Sequence, residues 1–310
     1  MRILNFGSLN IDYTYRVDHF LQPGETKASK SLMINCGGKG LNQSIAAAKA
    51  GNNILHAGLL GRDGDMLRDK LCESNVDVSF LIRSEGLSGN AIIQVDDAGQ
   101  NCILLFGGTN RALTHALIDD TLNQFDHKGL VLLQNETNLV GYMIEQAAAR
   151  GLKVAFNAAP MEHGVLEYPL DRLDWLIINE VEGKQLACCN CEDDILPILS
   201  ARYPHCGILL TLGKRGSVYH NSMGTWRAAS YAVKAVDTTA AGDTFTGYFL
   251  YGMLNDFSPA EALRLATTAS ALCVQRTGAS DAVPEMAEVR AAMASGQYPP
   301  LEIVEQLCSL

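Results

Sequence analysis

The segment Asp237-Thr238-Thr239-Ala240-Ala241-Gly242-Asp243-Thr244-Phe245 sets a carboxylate among small residues at the mouth of an apolar stretch. Phe245, Tyr248, Phe249 and Gly252 recur at helical spacing, while Ala232-Val233-Lys234-Ala235-Val236 alternates like a strand. Asp243 is therefore expected at a strand-to-helix junction. The first amides of a helix lack intrahelical partners and carry the positive end of its dipole. With Gly242 permitting close approach, they can cradle a phosphate. An acid beside that cradle is placed to take a proton from an attacking hydroxyl, so the chemistry suggested is phosphoryl transfer. The ordinary alternative is an aspartate that caps or charges the first helical turn.

Other polar groups fall where a second substrate would sit. Asn10 and Asp12 alternate after the first strand and share a face if the backbone stays extended, so the pair can grip adjacent hydroxyls, although turn formation is the ordinary explanation for such residues and is preferred on these two alone. Cys36-Gly37-Gly38-Lys39-Gly40-Leu41-Asn42-Gln43 puts a diglycine turn before an alanine-rich helix, with Lys39 and Asn42 on one helical face as donors to hydroxyl oxygens. It lacks the Gly-x-x-x-x-Gly-Lys-Ser/Thr spacing of a Walker A loop. Glu136 follows one apolar strand, Asn179, Glu180 and Glu182 follow another, and Thr211-Leu212-Gly213-Lys214-Arg215-Gly216 follows a third. Carboxyl ends of parallel strands are where α/β proteins bind ligands.

The elements that must position these residues alternate. Residues 2–8 read as a strand ending in a turn, and further strands are expected at 54–60, 129–134, 153–157, 175–179 and 207–212, with helices at 40–50, 140–150 and 191–203 between them. This predicts a three-layer α/β/α protein with a mostly parallel sheet. Two regions break the rhythm. Residues 12–35 are extended without a helix, and Ala91–Val95 and Cys102–Phe106 read as a hairpin around Asp96–Asn101. Together, roughly 12–35 and 90–106 predict a small β-sheet lid on a single domain spanning 1–310; edge strands of the main sheet are the alternative.

The 310 residues are 47% hydrophobic, enough for a large core, and the net charge of −10 argues against non-specific nucleic-acid binding. Met1-Arg2-Ile3-Leu4-Asn5-Phe6 is too quickly interrupted for a signal-peptide core, and no apolar run approaches a membrane span, so the cytoplasm is the expected compartment. The nine cysteines show no disulfide framework; Cys72, Cys102 and Cys273 lie in apolar patterns that suggest core thiols. Cys188, Cys189, Cys191 and Cys206 lack the paired Cys-x-x-Cys spacing of structural zinc modules.

The segments Gly37–Gln43 and Asp237–Phe245, in this order and separation, resemble the two signatures of the ribokinase family of sugar kinases, also called the phosphofructokinase-B type. The resemblance runs from Gly7 to about Pro284, with ribokinase-like members as the nearer branch. It implies ATP-dependent transfer of the γ-phosphoryl group to a primary hydroxyl of a pentose, with O5 of ribose foremost, and a small lid that often serves as a homodimer contact. By residue, it implies a sugar site at Asn10, Asp12, Gly38, Lys39, Asn42 and Glu136, a base at Asp243, and an anion hole at the amides of Ala240, Ala241 and Gly242. Asn179 and Glu182 match a motif placing magnesium and phosphate, and Thr211 and Gly213 a nucleotide loop. A monovalent-cation site, usually for potassium, matches Asp237 and Thr239 with loop carbonyls around Cys273, Arg276 and Gly278. Ala282 stands where the family often has serine, which removes one side-chain oxygen there, and Asn135 stands where an apolar residue is frequent, either altering sugar selectivity or facing solvent.

The alternative within the family is a kinase for another sugar or a nucleoside. Outside it stands a non-catalytic sugar-binding or regulatory homologue, against which the retained base and glycine cradle weigh. A dinucleotide oxidoreductase is weaker, because Gly-x-Gly-x-x-Gly is missing after the first strand.

Overall fold

The computed structural model describes residues 1–126, 128–296 and 298–307. Ten strands form one large sheet: β1 (Arg2–Phe6), β4 (Asn53–Leu60), β5 (Asp77–Arg83), β8 (Leu130–Gln134), β9 (Lys153–Asn157), β10 (Trp175–Asn179), β11 (Gly207–Thr211), β12 (Ser217–Asn221), β13 (Gly224–Ala228) and β14 (Ile303–Leu307). Their order is β14-β13-β12-β11-β10-β9-β8-β1-β4-β5; β5 to β11 are parallel to one another across the sheet, and β12, β13 and β14 form an antiparallel margin. A separate sheet has the order β3-β2-β6-β7, built from β2 (Asn10–Arg16), β3 (Ser31–Gly37), β6 (Gly89–Val95) and β7 (Asn101–Phe106).

The unbroken apolar runs of the central strands follow from burial on both faces. Ile3, Leu132 and Ile177 point to one side, where they meet the helices Lys39–Lys49, Ala241–Leu254 and Pro259–Cys273. Their neighbours Leu4, Val131 and Leu176 point to the other, against the helices His115–Gln124, Val140–Ala149 and Ile195–Arg202. Two cores separated by one sheet make the three-layer α/β/α arrangement expected. Register then brings side chains together at the carboxyl edge: Gln134 lies opposite Asn157, and Asn179 opposite Thr211.

The expected hairpin is present as β6 and β7, closed where the Asp96 amide donates to the Gln100 carbonyl and Gly99 takes a φ of +77°. It pairs with β2 in the small sheet and not with the main one.

Several expectations fail for local reasons. Ala232–Val236 is not a strand, because the free side of β13 is taken by β14; the Val236 and Asp237 amides donate instead to the Val274 carbonyl, at 2.7 and 3.2 Å. The junction before Asp243 is therefore loop to helix. Residues 191–203 divide into a 3-10 turn, Glu192–Asp194, and the helix Ile195–Arg202, which tolerates Pro197 in its first turn. Cys273 is buried, but Cys72 and Cys102 are exposed: Leu67 and Leu71 take the buried face of the helix carrying Cys72, and β7 is exposed along its length. No helix among the described residues is long and apolar enough to cross a membrane.

Candidate active site

The helix Ala241–Leu254 begins from Ala240, whose φ of 60° lies in the left-handed region. A non-glycine residue held there carries strain of roughly 1–2 kcal/mol, which the surrounding fold must offset. The first turn borders open space, since a Cβ on Gly242 would meet nothing within 4 Å. Just inside that mouth Asp243 is only 7% exposed. Its Oδ2 accepts from Asn42 Nδ2 at 3.2 Å and its Oδ1 from Gln43 Nε2 at 2.9 Å, so a buried carboxylate is held by donors from a helix some two hundred residues earlier.

Lys39, Asn179, Glu182, Thr211, Ala240, Ala241, Gly242 and Asp243 line one cavity, joined by Asn157 and Thr246. Burial pulls the Lys39 ammonium down, but the negative charges of Asp243, Glu136 and Glu182 more than offset it and leave Lys39 raised above its ordinary value. Asn179 caps the helix Glu180–Ala187, its Oδ1 accepting from the Val181 and Glu182 amides, while Glu182 Oε2 accepts from the Asn179 amide at 2.9 Å. Burial raises the Glu182 carboxyl above its ordinary value against those hydrogen bonds.

The other sugar-site candidates gather where β2 leaves the main sheet. Asn10 is buried, and its Oδ1 accepts from Asn110 Nδ2, which also donates to the Leu9 carbonyl. Asp12 lies over Gly37, where a Cβ would stand 2.0 Å from its Oδ2. Burial, followed by the charge of Glu136, pushes Asp12 up to about 7. Gly38 has φ +94° and a Cβ there would crowd the Ser8 carbonyl, while Glu136 Oε2 accepts from the Lys39 amide and from Ser8 Oγ. Glu136 is thus tied to the start of the Lys39–Lys49 helix. Asn135 does not face solvent: it is buried, donates to the Pro160 carbonyl and accepts from Tyr168.

Behind the Ala240 turn, Asp237 Oδ1 accepts from the Thr239 amide and hydroxyl, and its Oδ2 from the Gly278 amide. Burial works against these hydrogen bonds, which nevertheless hold the Asp237 carboxyl below its ordinary value. Cys273 receives the Thr244 hydroxyl on its sulfur, and Arg276 turns its guanidinium to Glu288. Gly213 opens a 3-10 turn beyond Thr211 with φ +56°, and Ala282 is buried without a side-chain oxygen to offer. The sequence reading assigned no role to Gln43, Asn157, Asn110 or Ser8. Gln43 and Ser8 stand inside or beside segments already singled out, but nothing in their spacing names partners so far along the chain.

A helix mouth open above glycine, a buried carboxylate inside it and a lysine across the cavity are the features of a phosphotransferase site on an α/β fold. Comparison with known proteins agrees. Residues 2–286 match the family model described as pfkB family carbohydrate kinase. A ribokinase of Haemophilus influenzae is 32% identical over 292 residues, covering 91% of this chain and 95% of the relative. The ribokinase of Cryptococcus neoformans in complex with ADP superposes with a TM-score of 0.82 at 30% identity, covering 94% of this chain and 99% of that one. The Arabidopsis thaliana ribokinase complexed with ribose and ATP gives 0.80 at 26% identity, covering 93% and 97%. The chain belongs to the pfkB family of carbohydrate kinases, and its activity is ATP-dependent phosphorylation of a sugar.

Proposed function

We propose that the acceptor is D-ribose, phosphorylated on its primary O5 hydroxyl, with Asp243 as the base. The observation that carries this reading is the Asp243 carboxylate, buried beside the open helix mouth at Gly242 and anchored by Asn42 and Gln43. The ribokinase names of the relatives support ribose as the sugar.

In this reading Asn10, Asp12, Gly38, Lys39, Asn42 and Glu136 hold the sugar in line with the γ-phosphorus, and Asp243 takes the O5 proton as that oxygen attacks. The amides of Ala240, Ala241 and Gly242 receive the negative charge that develops on the transferring group. Asn179, Thr211 and Gly213 line the nucleotide's path. Glu182 fits a magnesium role: one carboxylate oxygen is bound to the Asn179 amide, the residue lines the cavity, and magnesium commonly takes one or two carboxylates together with substrate phosphates. The chemistry supplied by bound magnesium is neutralisation of charge on the phosphate oxygens. Asp237, Thr239 and Gly278 draw together into an oxygen-rich turn that fits potassium beside the anion hole, with the backbone of Cys273 and Arg276 close in sequence and no contribution from Ala282.

The whole chain acts as one kinase domain in this reading, with the small sheet as lid and as a homodimer contact. Its outer strand carries exposed Ile103, Leu104, Leu105 and Phe106, a run of apolar surface that a second copy would cover. The test is turnover of D-ribose, 2-deoxyribose, fructose and adenosine with ATP, with and without potassium. Asp243→Asn is expected to lose several orders of magnitude in kcat, of the size seen when an acid–base group is removed, about 10²–10⁴, while still binding ribose. Ordinary turnover by that variant would refute the base, and preference for another acceptor would refute ribose.

A further inference from the structure

We propose that Gln43 is a positioning residue for the transfer: it pins Oδ1 of Asp243 and so leaves Oδ2 as the oxygen that receives the sugar proton. The proposal rests on the reading of Asp243 as the base and adds which of its oxygens works and what fixes that choice.

The argument is one of hydrogen-bond polarity. An amide side chain can be turned either way, so a single contact between Gln43 and Asp243 would not show which end faces the carboxylate. Here backbone carbonyls, which only accept, settle it from several directions. Asn5 Nδ2 donates to the Gly40 carbonyl at 2.8 Å, so Asn5 Oδ1 must be the end that accepts from Gln134 Nε2 at 3.0 Å. The same Gln134 nitrogen then donates its second hydrogen to Gln43 Oε1 at 2.8 Å. With its oxygen so used, Gln43 presents only Nε2 to Asp243 Oδ1 at 2.9 Å and to Asn157 Oδ1 at 3.1 Å. Asn157 is independently oriented, because its Nδ2 donates to the Ile177 carbonyl at 3.1 Å.

A further branch gives the same sense. Asn5 Nδ2 also donates to Ser44 Oγ, which leaves the Ser44 hydroxyl hydrogen for His56 Nδ1, while His56 Nε2–H donates to the Gly7 carbonyl at 3.2 Å. Burial drives His56 down to about 4, so the imidazole is neutral, and with its hydrogen on Nε2 the bare Nδ1 accepts the Ser44 hydroxyl. Asn5, Gln43, Gln134 and His56 are all fully buried, so water cannot replace a lost partner.

Asp243 Oδ2 is held differently. Its donor, Asn42 Nδ2, is longer at 3.2 Å, and Asn42 Oδ1 is buried without a protein partner. Asp243 lines the cavity, and of its two oxygens Oδ2 is the one left with only this longer contact. In the transfer the O5–H bond of the sugar breaks and an O–H bond forms on Oδ2. The freed electron pair on O5 bonds to the γ-phosphorus as its bond to the bridging oxygen breaks and ADP departs. Oδ1 stays the carbonyl oxygen of the resulting acid and keeps the Gln43 hydrogen bond throughout, so the chain of amides need not rearrange.

The experiment compares Gln43→Met, Gln134→Met and the double variant in steady-state kinetics with D-ribose and ATP, with thermal melting of each. Loss of orientation predicts that Gln43→Met lowers kcat about 10- to 100-fold, the size of effect that misplacing a reacting group produces, with both KM values within about twofold. Gln134 neither bonds Asp243 nor itself lines the cavity, yet Gln134→Met should also lower kcat with KM unchanged. Because the two act in series, the double variant should be no worse than about the Gln43→Met level. Wild-type kcat in either single variant, a loss carried by KM, or losses that multiply in the double would overturn the proposal. Should Gln43→Met fail to fold, Gln134→Met decides alone. Asp243→Asn runs alongside: if it turns over normally the base reading falls, whereas if it is inactive and both glutamine variants are normal, only the present inference falls.

Discussion

Gly247 lies so close to Ala47 that a Cβ on it would stand 2.6 Å from the Ala47 amide nitrogen. The contact fixes how near the helices Lys39–Lys49 and Ala241–Leu254 approach, and these are the helices that carry Asn42 and Gln43 on one side and Asp243 on the other. Gly40 does the same at the start of the first helix, where a Cβ would meet the Ser8 amide nitrogen at 2.2 Å. The hydrogen bonds to Asp243 thus depend on missing side chains elsewhere. Gly247→Ala gains some helix propensity, but its methyl group meets backbone that cannot turn aside. It is expected to destabilise the fold by about 1–3 kcal/mol, the usual range for an overpacked core, and to lower kcat by separating the base from its donors. Urea unfolding together with kinetics checks this; unchanged values of both would show that the helix contact does not govern the site.

Asp12 and His56 oppose one another in pH. Burial and the Glu136 charge raise Asp12 to about 7, so the folded protein keeps a proton that the unfolded chain has released; the stability this gives is complete below the ordinary value of 3.8 and is lost as pH rises through 7. Burial lowers His56 from 6.5 to about 4, so its contribution is complete above 6.5 and is lost as pH falls through 4. Asp12→Asn removes the first slope and leaves the second. Relative to the wild type, the variant should be of equal stability near pH 4 and gain on the order of 2–4 kcal/mol by pH 8, while binding ribose more weakly. Melting of both proteins across this range checks it, and a constant difference would show that Asp12 titrates normally.

The parts of the site legible in the sequence were those whose chemistry is local. Asp243, Gly242 and Lys39 announce themselves by glycine, charge and the start of a helix, and the strands around Leu130–Gln134 and Trp175–Asn179 by unbroken apolar runs. Gln43 was not legible, because its role depends on Asp243 and Gln134, which reach it through the packing of glycines and the register of β8. Ala232–Val236 misled because alternation reports two environments, not a hydrogen-bonded ladder, and here the sheet edge was already filled by β14. Cys102 misled similarly: its apolar neighbours lie on a strand of the small sheet that is exposed on both faces.

That exposure leads to a prediction about assembly. Ile34, Ile92 and Leu104 align across the small sheet beside Tyr13, on the face opposite Asp12, and Leu104 is 67% exposed. A second copy of the chain laid on this face would bury apolar surface and leave the sugar side free. The wild type is then expected to sediment as a dimer at micromolar concentration, and Leu104→Glu, which places a charge in the apolar contact, as a monomer. A wild-type monomer at those concentrations, or a variant that still dimerises, would remove the lid from the interface.

Glu182 has two separable duties. As part of the capping box, its Oε2 accepts from the Asn179 amide, a task a neutral glutamine oxygen also performs. Its charge is a different matter: the carboxylate lines the phosphate cavity, is raised above its ordinary value by burial, and is partly offset by Lys39. Glu182→Gln should therefore leave thermal stability within about 1 kcal/mol, the scale of a cap contribution, while raising the magnesium concentration needed for half-maximal rate at saturating ATP about tenfold, the lower end of the effect expected when a metal-site partner is lost. A magnesium titration of the rate, paired with thermal melting, separates the duties. An unchanged magnesium requirement with lowered stability would leave Glu182 as a cap alone, whereas the expected outcome ties its charge to the metal and its geometry to the helix.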